Sequence, residues 1–296
     1  MKSNNNTKMK YYDKCLICKG NNISKIPLIH EISRYSKVKY PLFKCNNCGF
    51  IRPWPLPYDD GGLDIYDNPE NIKFYDTKKG KIDEDNYEYK YYFKHFRPYI
   101  SLIEKHKIKG KSLDVGCGPG HLLELLSKRG FKAEGTDVSP VLVNALKNKF
   151  KVYCGELDKK EIKRKSYGLV TLNQVIEHVE DPEKFVRQLN SVLVIGGHMI
   201  LATPYIYGIV PKILRSKWYG LGYGQHLNFF SKKSMKMLLE RNGFDVLEIK
   251  ILSVDYAHPN FPRILNAIAN LIMKFNVFFG MGDNLFVVAK KIRETD

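Results

Sequence analysis

The chain has 296 residues, 44% of them hydrophobic and 27% charged, enough for one sizeable core and a small accessory module. A formal charge of +17 suits an RNA, an anionic membrane surface or a phosphorylated substrate. The lysines are dispersed rather than gathered in a run, so general lysine richness is the plainer account, and no window of about 18 apolar residues marks a membrane span.

Residues 1–10 read as a polar tail without an apolar leader, and the expected location is cytoplasmic. Cys15-Leu-Ile-Cys18 and Cys45-Asn-Asn-Cys48 follow, two CxxC pairs with 26 residues between them. A CxxC turn curls back so that both thiolates reach one ion. Two such turns complete a tetrahedral four-cysteine Zn2+ site with no position left for water, which makes the metal structural. It supplies stability that a module of residues 11–57 cannot draw from its own small core. The long gap leaves room for a hairpin between Gly20 and Lys44. Three prolines in Arg52-Pro-Trp-Pro-Leu-Pro57 forbid a helix and predict an extended linker.

Residues 58–110 read as a lid rich in Gly, Asp and Tyr, then a helix over 87–107. Tyr91, Tyr92, His95, Tyr99, Leu102, Ile103 and His106 keep helical spacing there, and Pro98 predicts a kink or split. Next comes Lys111-Ser-Leu-Asp-Val-Gly-Cys-Gly-Pro-Gly120. Leu113 and Val115 alternate as in a strand, three glycines at every second position predict a tight turn, and His121 to Lys128 is apolar-periodic, a helix with His121 on its surface. Glycine lets such a backbone take unusual φ values and lets a ligand approach it closely. A second short strand from Phe131 ends on Asp137, 21 residues after Gly116, where a carboxylate can accept two ribose hydroxyls. The spacing is GxGxG rather than the GxGxxG of dinucleotide sites, which argues against NAD.

Through its LDVGCGPG and GTDVSP stretches the chain resembles the class I S-adenosylmethionine-dependent methyltransferases over roughly Lys111 to Lys291. The resemblance implies an α/β fold, a Rossmann-like seven-stranded methyltransferase sheet with helices on both faces, in a catalytic domain over 111–292 beside the zinc ribbon. It implies S-adenosyl-L-methionine as cofactor, held by Asp114, Gly116, Gly118, Gly120, Asp137 and Val138, with Glu156 and Leu157 where the family's adenine pocket lies. Asn173 and Gln174, at the end of an apolar strand over 168–172, would face the cofactor's amino group.

Ser139-Pro140 predicts a helix over 140–149, and Lys151–Cys154 a further strand. Cys117 and Cys154 read as packing beside the pocket. Glu177-His178 looks like the acidic–His pair of ubiquinone-pathway O-methyltransferases and their relatives, and Asp181-Pro182 starts a helix running to near Gly196-Gly197. His178 is a candidate base, since imidazole titrates near neutral pH; a helix cap or backbone bond is its other reading. After a strand over 198–203, residues 205–226 form the expected substrate loop. His226, in a stretch HLNFFS similar to one at the family's substrate mouth, is the second base candidate. Ser231 caps a helix over 232–242, and 244–253 and 284–290 read as the last strands. The insertion 255–282 holds an apolar helix over 263–279, buried against the domain or a second subunit, or in peripheral membrane contact.

The expected function is methyl transfer from S-adenosylmethionine to a small-molecule or sugar-containing acceptor, because Glu177-His178 and HLNFFS look like the small-molecule branch of the family; a similar zinc ribbon precedes the methyltransferase domain in many enzymes, sugar C-methyltransferases among them, but their substrate is not carried over. The alternatives are a zinc-ribbon RNA methyltransferase and a non-catalytic binding platform on the same fold. The lack of a basic track with interleaved aromatics weighs against the first, and the intact glycine turn with Asp137 against the second.

Overall fold

The computed structural model describes residues 14–32, 38–56, 87–253 and 282–295. The polar tail, the lid, the side chains of Tyr91 and Tyr92, and the helix expected over 263–279 lie outside the described residues.

The hairpin between the cysteine pairs is present. Strands β1 (Ile23–Ile32), β2 (Lys39–Cys45) and β3 (Ile51–Pro53) form an antiparallel sheet in that order. Between β2 and β3, Gly49 takes φ +76° and returns its N–H to the Cys45 carbonyl at 2.8 Å, which curls the second CxxC turn.

The second sheet contains β4 (Lys111–Val115), β5 (Lys132–Asp137), β6 (Lys151–Cys154), β7 (Tyr167–Asn173), β8 (Leu193–Pro204), β9 (Phe244–Leu252) and β10 (Asn284–Lys291). Their order is β6-β5-β4-β7-β8-β10-β9. The pairs β4–β5, β5–β6, β4–β7 and β7–β8 are parallel, and β10 runs antiparallel to both its neighbours. This is a Rossmann-like methyltransferase sheet with one reversed strand. The strand order reverses at β4 and β7, so a crevice opens beyond their carboxyl ends.

Helices α1 (Tyr87–Lys105) and α2 (His121–Lys128) bury Tyr99, Ile103, Leu122 and Leu126 against Leu169, Ile200 and Phe286 on one face. On the other, α4 (Pro182–Val192) and α6 (Lys232–Arg241) bring Val186, Leu189, Met235 and Leu238 onto Val115, Val170, Leu172 and Leu285. Each such side chain contributes roughly 1.5–3 kcal/mol by leaving water. Two shorter helices, α3 (Pro140–Leu146) and α5 (Ile209–Leu214), complete the set among the described residues. Capping follows the sequence: Ser139, Asp181 and Ser231 accept backbone N–H groups of the first turns of α3, α4 and α6. No described helix is long and apolar enough to cross a membrane.

Three helices differ from expectation. Helix α1 carries Pro98 without splitting, because Tyr99, Ile100, Leu102 and Ile103 are all buried and their packing offsets the one lost hydrogen bond. Helix α3 stops at Leu146 and gives way to a turn. Helix α4 ends at Val192, since Leu193 is already extended, and Gly196 and Gly197 lie inside β8. A Cβ on Gly197 would come within 3.0 Å of the Tyr167 carbonyl oxygen, so this glycine serves close strand approach, not helix termination. The segment 205–226, expected as the substrate loop, carries α5 and two short 3-10 turns.

Candidate active site

A cleft of about 1510 Å³ opens beyond the carboxyl ends of β4, β5, β6 and β7. Asp114, Gly116, Gly118, Asp137, Val138, Glu156, Leu157, Asn173, Gln174, His178 and His226 line it, whereas Gly120 and Glu177 stand behind its wall. The glycines divide the work of the turn. A Cβ on Gly116 would meet Val175 at 2.6 Å and one on Gly120 would meet Leu146 at 2.7 Å, but one on Gly118, at φ +51°, would meet nothing within 4 Å. Gly118 is therefore the residue of the three whose open side a ligand can occupy, while its neighbours allow close packing. Asp137 braces the same turn: Oδ2 accepts the Gly118 N–H at 2.8 Å and Oδ1 accepts the Ser139 N–H at 2.9 Å. Beneath it, Asp114 accepts the Thr171 hydroxyl at 2.6 Å, and burial pushes its carboxyl up to about 7.

Where β7 ends, Gln174 takes φ +58° and turns the chain back across the sheet. The Glu177 carbonyl accepts N–H groups from Leu227 and Asn228, and Asn228 donates its amide to the carbonyls of Ile176 and Val179. That clamp brings His226 to His178, with ring centroids 4.6 Å apart and planes near perpendicular. His178 Nδ1 donates to the Gln225 carbonyl at 3.0 Å and His226 Nδ1 to the Gly220 carbonyl at 2.8 Å. A carbonyl only accepts, so each ring carries its proton on Nδ1 and its lone pair on Nε2. Burial pushes the two imidazoles down to about 4 and about 3 and holds both neutral. Glu177 is fully buried, receives the Thr203 hydroxyl on Oε2 at 2.9 Å, and is pushed up to about 8 by that burial.

Residues 86–249 match a family described as a methyltransferase domain. The chain belongs to this methyltransferase family. It is 26% identical over 156 residues to the ubiquinone biosynthesis O-methyltransferase of Coxiella burnetii, spanning 48% of this chain and 67% of that one. Its likeness to the mitochondrial ubiquinone biosynthesis O-methyltransferase of Arabidopsis thaliana is 27% over 154 residues, 47% of this chain and 48% of the other. Among solved structures, an S-adenosylmethionine-dependent methyltransferase from Archaeoglobus fulgidus shares the fold with a TM-score of 0.53 at 19% identity, covering 74% of this chain and all but 1% of that one.

The methyltransferase carries its cysteine cluster against the same cleft. The Sγ atoms of Cys15, Cys18, Cys45 and Cys48 all lie within 4.8 Å of one another, with Cys15–Cys48 at 3.6 Å and Cys18–Cys45 at 3.4 Å. A Zn–S bond of about 2.3 Å places tetrahedral sulfurs roughly 3.8 Å apart, so the four thiols fit the ion. The module is knitted to the catalytic domain, not merely tethered to it: Ile51 and Phe229 exchange backbone hydrogen bonds at 2.9 Å, Ser231 donates to the Cys48 carbonyl, and Arg52 donates to the Glu180 carbonyl. Phe43, Arg52 and Trp54 of the module line the cleft.

Besides the module's residues, His95, Phe96 and His121 of the methyltransferase lie on the cleft without having been placed there by the sequence reading. His121, expected on a helix surface, lines the cleft and is pushed down to about 4 by burial and by neighbouring His95. His95 and Phe96 face the same space from α1. Their helical spacing signalled only that α1 packs on something, and what it covers is a tertiary fact.

Proposed function

We propose that this methyltransferase moves the methyl group of S-adenosylmethionine to a hydroxyl of a small-molecule acceptor. The observation that carries the reading is one continuous cleft joining the Gly118–Asp137 turn to the His178–His226 pair. Asp137 would take the ribose hydroxyls, Gly118 would admit the cofactor to its open side, and Asp114 would stand under its cationic end. Glu156, Leu157, Val138, Asn173 and Gln174 would complete the cofactor's walls. Displacement at the methyl carbon demands mainly that the acceptor oxygen be held in line with the sulfur; His178 and His226, which line the cleft, would orient that oxygen and take its proton, and Glu177 would support their turn from behind the wall. The relatives named as O-methyltransferases support oxygen as the nucleophile. Zinc on the four cysteines would hold Phe43, Arg52 and Trp54 in place as the outer wall and would take no part in the chemistry.

The test pairs calorimetric titration of S-adenosylmethionine with methyl-labelled cofactor offered to catechols, hydroxybenzoates, nucleotide-linked sugars and RNA. Binding to wild type, loss of binding in Asp137→Asn and label on a small hydroxyl compound are expected. Label on RNA alone would favour the RNA reading, and no cofactor binding by folded protein would favour the platform.

A further inference from the structure

Gln174 is pinned from two sides. Its backbone, at φ +58°, gives its N–H to the Ala202 carbonyl of β8 at 2.9 Å. Its side chain crosses to the start of β10, where Nε2 donates to Asn284 Oδ1 at 3.0 Å. Asn284 donates Nδ2 to Asp283 Oδ1 at 3.1 Å, and Asp283 Oδ2 accepts the Tyr219 hydroxyl at 2.6 Å. Asp283 and Asn284 are both buried. One chain of bonds thus runs from the 3-10 turn Tyr219–Gly224, through the head of β10, to a residue on the cleft wall. A non-glycine residue at positive φ is strained and persists only where its surroundings hold it, as β8 and β10 do here.

The acidic member sets the direction of the chain. An ionised carboxylate only accepts, so the Asn284 amide turns its NH2 to Asp283 and its oxygen to Gln174. The Gln174 amide must then give its NH2 to Asn284. Its oxygen, Oε1, is the end that accepts no hydrogen bond among the described residues, and Gln174 is a partly buried residue of the cleft wall. Successive donations toward a carboxylate polarise each amide and make the last oxygen a stronger acceptor. We infer that Asp283 is a positioning residue of the cleft: acting through Asn284, it fixes the Gln174 amide with its oxygen toward the cleft, where it accepts a hydrogen bond from a cationic N–H donor of the bound molecule. On the methyl-transfer reading above, on which the identity of the donor rests, that donor is the α-ammonium of S-adenosylmethionine. The Tyr219 hydroxyl ties the 205–226 segment to the same carboxylate.

The experiment reverses the chain in the full-length protein. Asp283→Asn keeps the size of the side chain but adds a donor, so the Asn284 amide turns over and Gln174 presents NH2 to the cleft. Calorimetric affinity for S-adenosylmethionine is expected to fall by about tenfold or more. Gln174→Glu supplies an oxygen whichever way Asn284 lies. In a double-mutant cycle it should therefore benefit the Asp283→Asn background at least about tenfold more than the wild type, a coupling that added charge alone does not produce. A second arm needs no cofactor. The chain has three glutamines, Gln174, Gln188 and Gln225, so isotope-labelled glutamine resolves their side-chain amides by NMR, and Gln174→Met assigns the pair that disappears. The Gln174 NH2 should exchange slowly in wild type and fast in Asp283→Asn. Asn284→Leu, which cuts the chain without changing charge, should give the same fast exchange and takes its place if Asp283→Asn does not fold by circular dichroism. Equal exchange in wild type and variants overturns the inference, as does unchanged cofactor affinity in Asp283→Asn or a cycle without coupling. A folded wild type that does not bind S-adenosylmethionine sinks the methyl-transfer reading instead, and the exchange rates then decide the Asp283 chain by themselves.

Discussion

Ser231 Oγ donates to the Cys48 carbonyl oxygen at 2.6 Å and also accepts the Ser234 N–H at 3.0 Å, so one hydroxyl ties the second cysteine turn to the N-terminus of α6. The pair is 183 positions apart in the chain. Ser234 returns the favour by accepting the Ser231 N–H at 2.9 Å, which closes a capping box.

Ser231→Ala removes the cap and the tether together. A loss of about 1–2 kcal/mol is expected from urea unfolding, the upper end of the range for a cap because the Cys48 carbonyl also loses its donor. Faster zinc release to a chelator is expected in the same variant. A variant as stable and as slow to lose metal as wild type would show that the tether carries nothing.

Removing the metal should act on the whole chain rather than on the module alone, since Cys15, Cys45, Cys48 and Phe50 share one apolar cluster with Phe230 and Met235. Without an ion the sulfurs take up protons, lose the bond that joins the two turns and release that surface to water. A loss of ~4 kcal/mol, or a fall in melting temperature of about 10 °C, is expected on chelation, with new proteolytic cuts in residues 14–56. Scanning calorimetry with and without chelator measures it.

What was legible in the sequence was what is local. The GxGxG turn, the Asp137 carboxylate that accepts the Gly118 N–H, and the clustering of the two CxxC pairs are each geometry set within a few residues, because a turn needing φ > 0 or a pair of convergent thiols needs those residue types at that spacing. Residues whose role is set across the fold were not legible. Gly196 and Gly197 read as a helix stop, yet Gly197 is there because β8 passes close to the Tyr167 carbonyl. His121 read as exposed because nothing in its neighbourhood announces that His95 and Phe96 arrive over the same cleft. The meeting of His178 with His226 depends on the Asn228 clamp, whose partners at Ile176 and Val179 lie about fifty positions away in the chain.

Asp114 makes stability depend on pH with an unusual sign. Burial raises its carboxyl from 3.8 to about 7, with the Asp137 charge adding to the rise and the Thr171 hydroxyl opposing it. Between those values the folded chain binds a proton that the unfolded chain has released. Stability is therefore fully favoured below about pH 4 and lost as pH rises through about 7, by an amount on the order of 4 kcal/mol for this group alone. Asp114→Asn should flatten the urea midpoint over that range. S-adenosylmethionine is cationic and favours the ionised carboxylate, so its affinity for wild type should climb across the same interval while that of the variant stays level.

Gly118 and Gly116 differ in what a side chain would meet, and the difference separates cofactor binding from folding. Gly118→Val places its side chain in open space, so the cost to stability is the left-handed backbone, about 1–2 kcal/mol. The same side chain fills the room that a cofactor needs beside the turn, and an affinity loss of at least about tenfold is expected, equivalent to 1.4 kcal/mol. At Gly116 even Ala would drive a Cβ to 2.6 Å from Val175, whose β-branched side chain is stiff at χ1. Gly116→Ala should therefore cost about 1–3 kcal/mol of overpacking beyond the backbone strain. It should also displace the 175–178 turn that carries His178. Urea unfolding and calorimetric titration on the two variants give opposite rankings if the division holds: Gly116→Ala the less stable, Gly118→Val the weaker binder. Equal ranking in both measurements would mean that Gly118, like Gly116, serves only the fold.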